Sequence, residues 1–337
     1  MQKKIKRFIL SLFNNPYFIL FLINLFFFFP LFFPKLKLII TPEYGGGDEN
    51  IFHYPIKYLL QQKLKNNQFL FWSNLTGGGY PLYAISELGF FNPINIITLK
   101  YLPFSLAINV QIFIYFLVLL FGSYYLGTIL KFKKIINLFF SISFSYCFFI
   151  IANIIHLSHL ASFSFIPLIF ALLLKIIENN KITIHYYLFT VVLALQLIAG
   201  HQQYFFYSII LIFSYLLIEY LLNKNKQHHL KKIVFLISLA FFISLLMGAI
   251  QLVPSFQYLK YSNPRNFHGD TKMSLNNLAT FIHPFILYRL DLKDASKKSN
   301  YTAPWDSNFF LGTSVYLLIF LLIFKRKLII LRNFLKK

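Results

Sequence analysis

The side chains best equipped for chemistry are few and unevenly placed. Asp48 and Glu49 stand together behind Gly45-Gly46-Gly47, in a chain with only 10 acidic residues among 337. A carboxylate pair can accept a proton from an attacking hydroxyl, bind a divalent cation such as Mg or Mn, or hold a sugar hydroxyl. The same pair also suits a solvated loop tip, or the N-cap of the amphipathic run that follows it. His156 and His159, three residues apart, can together contact a ligand or metal, or simply cover a helix end; no third metal ligand is evident beside them. His201, followed by Gln202 and Gln203, can donate hydrogen bonds to a sugar or phosphate, or satisfy the end of a broken helix. Arg265, Lys272 and Arg289 are cations suited to a phosphate, the arginines through a planar fork. Trp305 beside Asp306 can stack on a sugar face, although a Trp there also serves as an interfacial anchor.

These groups must be positioned by elements that live in lipid. Hydrophobic residues make up 58% of the chain, Phe alone numbers 44, and the mean hydropathy is +0.63, more than a soluble core of this size needs. Apolar runs at 17–38, 106–130, 135–152, 160–177, 184–200, 203–222, 233–253 and 309–324 predict about eight crossings. The expected fold is an all-α integral membrane protein, a single multi-span domain over residues 1–337.

Basic residues set the orientation, because cytoplasmic segments retain Lys and Arg. With the N-terminus cytoplasmic, the clusters at Lys3-Lys4, Lys131-Lys134, Lys175-Lys181, Lys224-Lys232 and Lys325-Lys337 all fall on one side. The long stretches 39–105 and 254–308 then become external loops, and they hold every acid except Glu178 and Glu219. A net charge of +22 spread over short loops at membrane depth argues against nucleic acid and for membrane lipids, anionic ones above all. The single cysteine, Cys147, lies in an apolar span, which excludes a disulfide and a thiolate metal cluster. The basic and then long apolar N-terminus lacks a small-residue cleavage site and reads as a retained anchor.

The first loop carries helix signals. Pro55 opens a helix with Ile56, Leu59, Leu60 and Leu64 on one face and Lys57, Gln61, Lys63 and Lys65 elsewhere, fit to lie in the membrane interface. Asn92 caps a second, with Pro93 in its first turn. Between them, Gly77-Gly78-Gly79-Tyr80-Pro81 predicts a turn. The runs 135–152 and 184–200 are short for crossings and end at polar clusters, as spans that line a cavity do.

The text of these segments also resembles a known family. GGGDENIFHYPIKYLL and NNQFLFWSNLTGGGYPLYAISELGFFNPINII are similar, in order and spacing, to the first external loop of the bacterial YfhO-like membrane proteins. HLSHLASFSFIPLIFALLL, AGHQQYFFYSIILI and GAIQLVPSFQYLKYSNPR resemble later segments of that family in the same order. The resemblance covers most of residues 40 to 315. It implies a GT-C-like fold and a glycosyltransferase in the bacterial plasma membrane, drawing on a polyprenyl-phosphate-linked sugar to decorate a cell-surface polymer, lipid or protein. A lipid-sugar synthase and a flippase would then supply the donor. In GT-C enzymes an acidic pair in the first external loop holds the catalytic base or a metal ligand, which makes Asp48 the expected base and Glu49 its helper. His53, Gln251 and Arg265 fall on polar positions of similar segments, so the resemblance makes them substrate-binding candidates. Relatives are usually longer, which suggests a truncated or split product here.

Two competing readings come from other classes. A lipid-sugar flippase or transporter fits the short spans, but no Lys, Arg or Asp falls mid-span, which argues against an ion-coupled pump. An inactive membrane scaffold left by truncation is the other.

Overall fold

A computed structural model describes residues 14–39, 49–69, 71–74, 78–222 and 227–261, with backbone only at 227–228. Asp48, Arg265, Lys272, Arg289, Trp305 and the span expected at 309–324 lie outside these residues.

The described chain is helical, its only β pairing an isolated antiparallel bridge between Ser73 and Tyr80. Among the described residues, twelve α-helices follow one another: α1 (Pro16–Phe32), α2 (Tyr54–Lys65), α3 (Pro93–Tyr101), α4 (Phe104–Ile129), α5 (Lys134–Ser145), α6 (Phe148–Ala152), α7 (Leu157–Ser164), α8 (Ile166–Asn179), α9 (Ile184–Ile198), α10 (Gln202–Leu222), α11 (Gln227–Met247) and α12 (Ala249–Leu259). A π-helical turn, Glu49–His53, leads into α2, and two 3-10 turns, Leu82–Ala84 and Ser86–Leu88, precede α3. Among the described residues, five stretches are long and apolar enough to cross a membrane: Phe104–Ile129, Lys134–Ala152, Leu157–Asn179, Gln202–Leu222 and His229–Met247. α1 and α9 are apolar but shorter. The outer faces of α10 and α11 expose Phe206, Ile210, Leu217, Phe235 and Phe242, a surface suited to lipid rather than water. The architecture is that of an all-α, multi-pass membrane protein.

Proline accounts for two departures from the expected span limits. The first run was expected to reach residue 38, yet α1 stops at Phe32. Pro34 forbids Phe33 the helical region, and Phe33 is extended at φ −136°, ψ 144°. Within the 157–179 stretch, Pro167 has no N–H to give to Phe163, and the helix breaks at Phe165 into α7 and α8. The run expected at 135–152 is also interrupted, at Tyr146-Cys147, for which the local sequence offers no evident cause. Residues 142–153 group apart from the other described residues.

The first-loop helices form where capping chemistry placed them. The Asn92 side chain accepts from the Ile94 N–H at 3.0 Å to start α3, and Pro55 stands in the first turn of α2. Gly78 and Gly79 both have positive φ in the turn closed by the Ser73–Tyr80 bridge. One expectation is corrected. Of the polar residues expected away from the apolar face of α2, Lys63 and Lys65 are exposed, but Lys57 and Gln61 are buried along with Ile56, Leu60 and Leu64. Gln61 Nε2 donates to the Leu99 and Leu102 carbonyls at 3.0 and 2.9 Å, tying α2 to the end of α3. The apolar side joins Leu82, Leu88, Phe90, Leu99 and Ala107 in one core.

Buried amides link the helices at depth. Asn24 of α1 donates to the Phe113 carbonyl of α4 at 3.1 Å, and Asn109 of α4 donates to Leu31 and Lys37 carbonyls. Asn137 of α5 donates to the Tyr124 carbonyl at 2.9 Å. In lipid such bonds each contribute about 0.6 kcal/mol on average, and they fix which faces meet.

Candidate functional site

The π turn and α2 carry a polar stripe at intervals of four residues: Glu49, His53, Lys57 and Gln61. Such spacing keeps side chains on neighbouring turns of one face. All four are buried, at 0%, 1%, 3% and 1% exposure. Besides the Gln61 bonds, Lys57 and the neighbouring Tyr54 tie this segment to the rest of the chain. The Tyr54 hydroxyl donates to the Ile39 carbonyl at 2.8 Å, and Lys57 Nζ donates to Gln111 Oε1 of α4 at 3.3 Å. Gln111 in turn donates to Thr98 Oγ1 at 2.8 Å, so α2, α3 and α4 share one network.

A second group of polar residues is brought in by the corner between α9 and α10. Gly200 turns that corner at φ +131°, and a Cβ there would lie 2.9 Å from Ser158 Cβ and 3.1 Å from the Glu87 carbonyl oxygen. Only glycine accepts both the backbone angle and that approach. The corner therefore seats against α7 and the 3-10 turn Ser86–Leu88. The His201 N–H donates to Ser162 Oγ at 3.0 Å, and Gln196 Nε2 donates to the Ser162 carbonyl at 3.1 Å.

The result is a histidine cluster. The His159 and His201 rings lie 3.8 Å apart between centroids, and His156 and His159 5.2 Å. Tyr204 bonds His159 Nδ1 through its hydroxyl at 3.4 Å. His53 Nε2 lies 3.8 Å from Glu87 Oε1, and neither of its ring nitrogens has a hydrogen-bond partner. Thus His53, His156, His159 and His201, separate candidates in the sequence, belong to one neighbourhood with Glu49 beside them.

Burial governs the charge here. Desolvation, aided by Lys57 and His156 and opposed by Glu49, pulls His53 down to about 4. The contact with Glu87 is therefore not an ion pair at neutral pH, since burial outweighs a carboxylate that is itself 44% exposed. Burial likewise pulls Lys57 down to about 7 and lowers His201, the latter with help from His156. The site thus gathers a buried acidic side chain, imidazoles kept from charging by burial, and one amine, Lys57, near its titration point at neutral pH. Among the described residues, no three His, Cys, Asp or Glu side chains are arranged to hold a metal ion.

No family model, curated protein or solved structure matches this chain. What the site does must be argued from its residues. Gln251 stands outside the histidine group: its Nε2 donates to the Tyr83 carbonyl at 3.2 Å, and with Ser255, which donates to the Ala84 carbonyl at 2.7 Å, it fastens α12 to the first loop. That is a positioning role. Sequence reasoning missed Lys57, Glu87 and Tyr204 as members of the neighbourhood. The four-residue interval from Glu49 to Gln61 was the available signal for Lys57; Glu87 and Tyr204 had none.

Proposed function

We propose that the protein is a membrane glycosyltransferase of the YfhO-like, GT-C type, moving a sugar from a polyprenyl-phosphate donor to a cell-surface acceptor at the external face of a bacterial plasma membrane. The observation that carries this reading is the complete burial of Glu49 at the head of the Glu49-His53-Lys57-Gln61 stripe, in the first loop after α1. A carboxylate is kept out of water at a cost, and such groups cluster where proton transfer is needed.

In this reading Asp48 takes the proton of the acceptor hydroxyl as that oxygen attacks the sugar carbon, and the polyprenyl phosphate leaves. Glu49 and His53 shape the field around it. One base suffices for a single displacement, so the two flanking carboxylates of a typical glycosidase are not required. Arg265, Lys272 and Arg289 are the candidates to neutralise the leaving phosphate, and Trp305 to stack on the sugar. Asp48 and Glu49 are the residues that would hold a divalent cation. The proposal includes eight crossings, a cytoplasmic N-terminus, and a lipid-sugar synthase and flippase as suppliers of the donor.

The absence of Lys, Arg or Asp within the crossing stretches, apart from their ends, favours a transferase over an ion-coupled flippase. The test is mass spectrometry of surface polymers from cells with the gene, without it, and with Asp48→Asn. A sugar lost in the last two, while the variant still accumulates in the membrane, supports the reading; a sugar retained in Asp48→Asn removes it.

A further inference from the structure

The lysine-rich end of the bundle has a cavity of its own. It lies among the last turns of α8 and α10 and the first turns of α11, with a volume of roughly 700 Å³. Glu178 and Glu219 line it, and these are the chain's only acids outside the two long loops. Leu174, Ile177 and Ile233 supply apolar wall. At Leu230 the cavity meets a second, almost wholly apolar groove of roughly 400 Å³ between α10 and α11, where Leu217 and Val234 are joined by one cation, Lys231.

Both signs of charge meet at this mouth. Lys175 pairs with Glu178 at 2.6 Å, Lys232 Nζ donates to the Asn180 carbonyl at 3.3 Å, and the Tyr215 hydroxyl donates to Glu219 Oε1 at 3.1 Å. A purely anionic headgroup would face two carboxylates. A choline headgroup offers them no N–H. A primary ammonium offers three donors, and a phosphate beside it suits Lys231. The apolar groove opening on lipid-exposed Leu217 is of a kind to take a hydrocarbon chain.

We propose that this cavity and groove bind a phospholipid with a zwitterionic primary-amine headgroup. The ammonium sits between Glu178 and Glu219, the phosphate faces Lys231, and one acyl chain follows Leu217 and Val234. This site is separate from the histidine cluster and does not depend on the transferase reading. It would anchor the junction of α8, α10 and α11 in the leaflet at the lysine-rich end.

The test is native mass spectrometry of the full chain after exchange into an equimolar mixture of phosphatidylethanolamine, phosphatidylcholine and phosphatidylglycerol. The expected result is ethanolamine lipid retained over choline lipid on the order of fivefold. The Glu178→Gln/Glu219→Gln double variant should lose that preference. Leu217→Trp, which keeps both carboxylates, should lower the total lipid retained by filling the groove, and it keeps the test available if the double variant does not accumulate. Retained lipid that mirrors the mixture, enrichment of the glycerol lipid instead, or a preference that survives the double variant would overturn the proposal.

Discussion

The two ends of the bundle use the same residue types to opposite effect. At one end, Glu49, His53 and Lys57 are sealed within the protein, and at the other, Glu178 lies 64% exposed beside Lys175. The α7–α8 stretch that joins these ends runs 23 residues, so His159 and Glu178 lie on the order of 30 Å apart along it. Water screens the exposed pair, which contributes little to stability whatever its 2.6 Å distance suggests. The buried stripe has no such screening, and its protonation states are set by the protein. A short contact between charges is thus a poor guide to importance; burial separates the two ends far better.

The largest expected effect is on activity. If the buried carboxylate matters as proposed, Glu49→Gln, which keeps size and removes charge, should lower transfer by about 100-fold or more. Glu178→Gln at the other end should leave the rate unchanged. Donor turnover by purified variants checks both, and equal losses at the two ends would erase the distinction drawn between them.

The next effect is on the pH dependence of stability. His53 is held below its unfolded value of 6.5, at about 4, so the unfolded chain binds the extra proton in that window. Its contribution is present above pH 6.5 and is lost as pH falls toward 4, a span of about 3 kcal/mol. The melting temperature in detergent should therefore drop across pH 6.5 to 4, and the drop should be smaller in His53→Leu. Lys57 acts at higher pH with the same sign. Its folded value of about 7 lies below the unfolded 10.5, so stability should rise between those values, and Lys57→Met should flatten the rise.

Gly200→Ala tests how the histidine end is assembled. Its backbone angle and the Ser158 and Glu87 contacts leave no place for a Cβ, and strain of this kind costs about 1–3 kcal/mol. A lowered melting temperature together with weakened activity is expected, since His201 moves with the corner. The smallest effect belongs to the exposed pair: Lys175→Ala in delipidated detergent should not shift the melting temperature measurably.

Parts of this comparison were legible in the sequence. The starts of α2 and α3 followed from Pro55 and from Asn92-Pro93, because capping is local chemistry. The polar ends of two runs, at His156-His159 and at His201, were visible in the sequence as cavity-lining candidates, but that their rings come together depends on Gly200 and its packing. The end of α1 was overestimated because hydropathy does not register what Pro34 does to Phe33. Lys57 was read as a polar face of an interfacial helix. Its burial depends on Gln111, 54 residues away on another helix, and no local pattern contains that.

The central claim is that the Glu49 end of the bundle is a catalytic site for sugar transfer. The most direct measurement is consumption of polyprenyl-phosphate-linked sugar by purified protein in detergent, where there is no membrane to cross, with Asp48→Asn and Glu49→Gln assayed beside it. The account predicts donor consumption with sugar appearing on added acceptor, abolished by Asp48→Asn and strongly reduced by Glu49→Gln. Turnover undiminished in both variants, or donor bound but never consumed by the native protein, would contradict it.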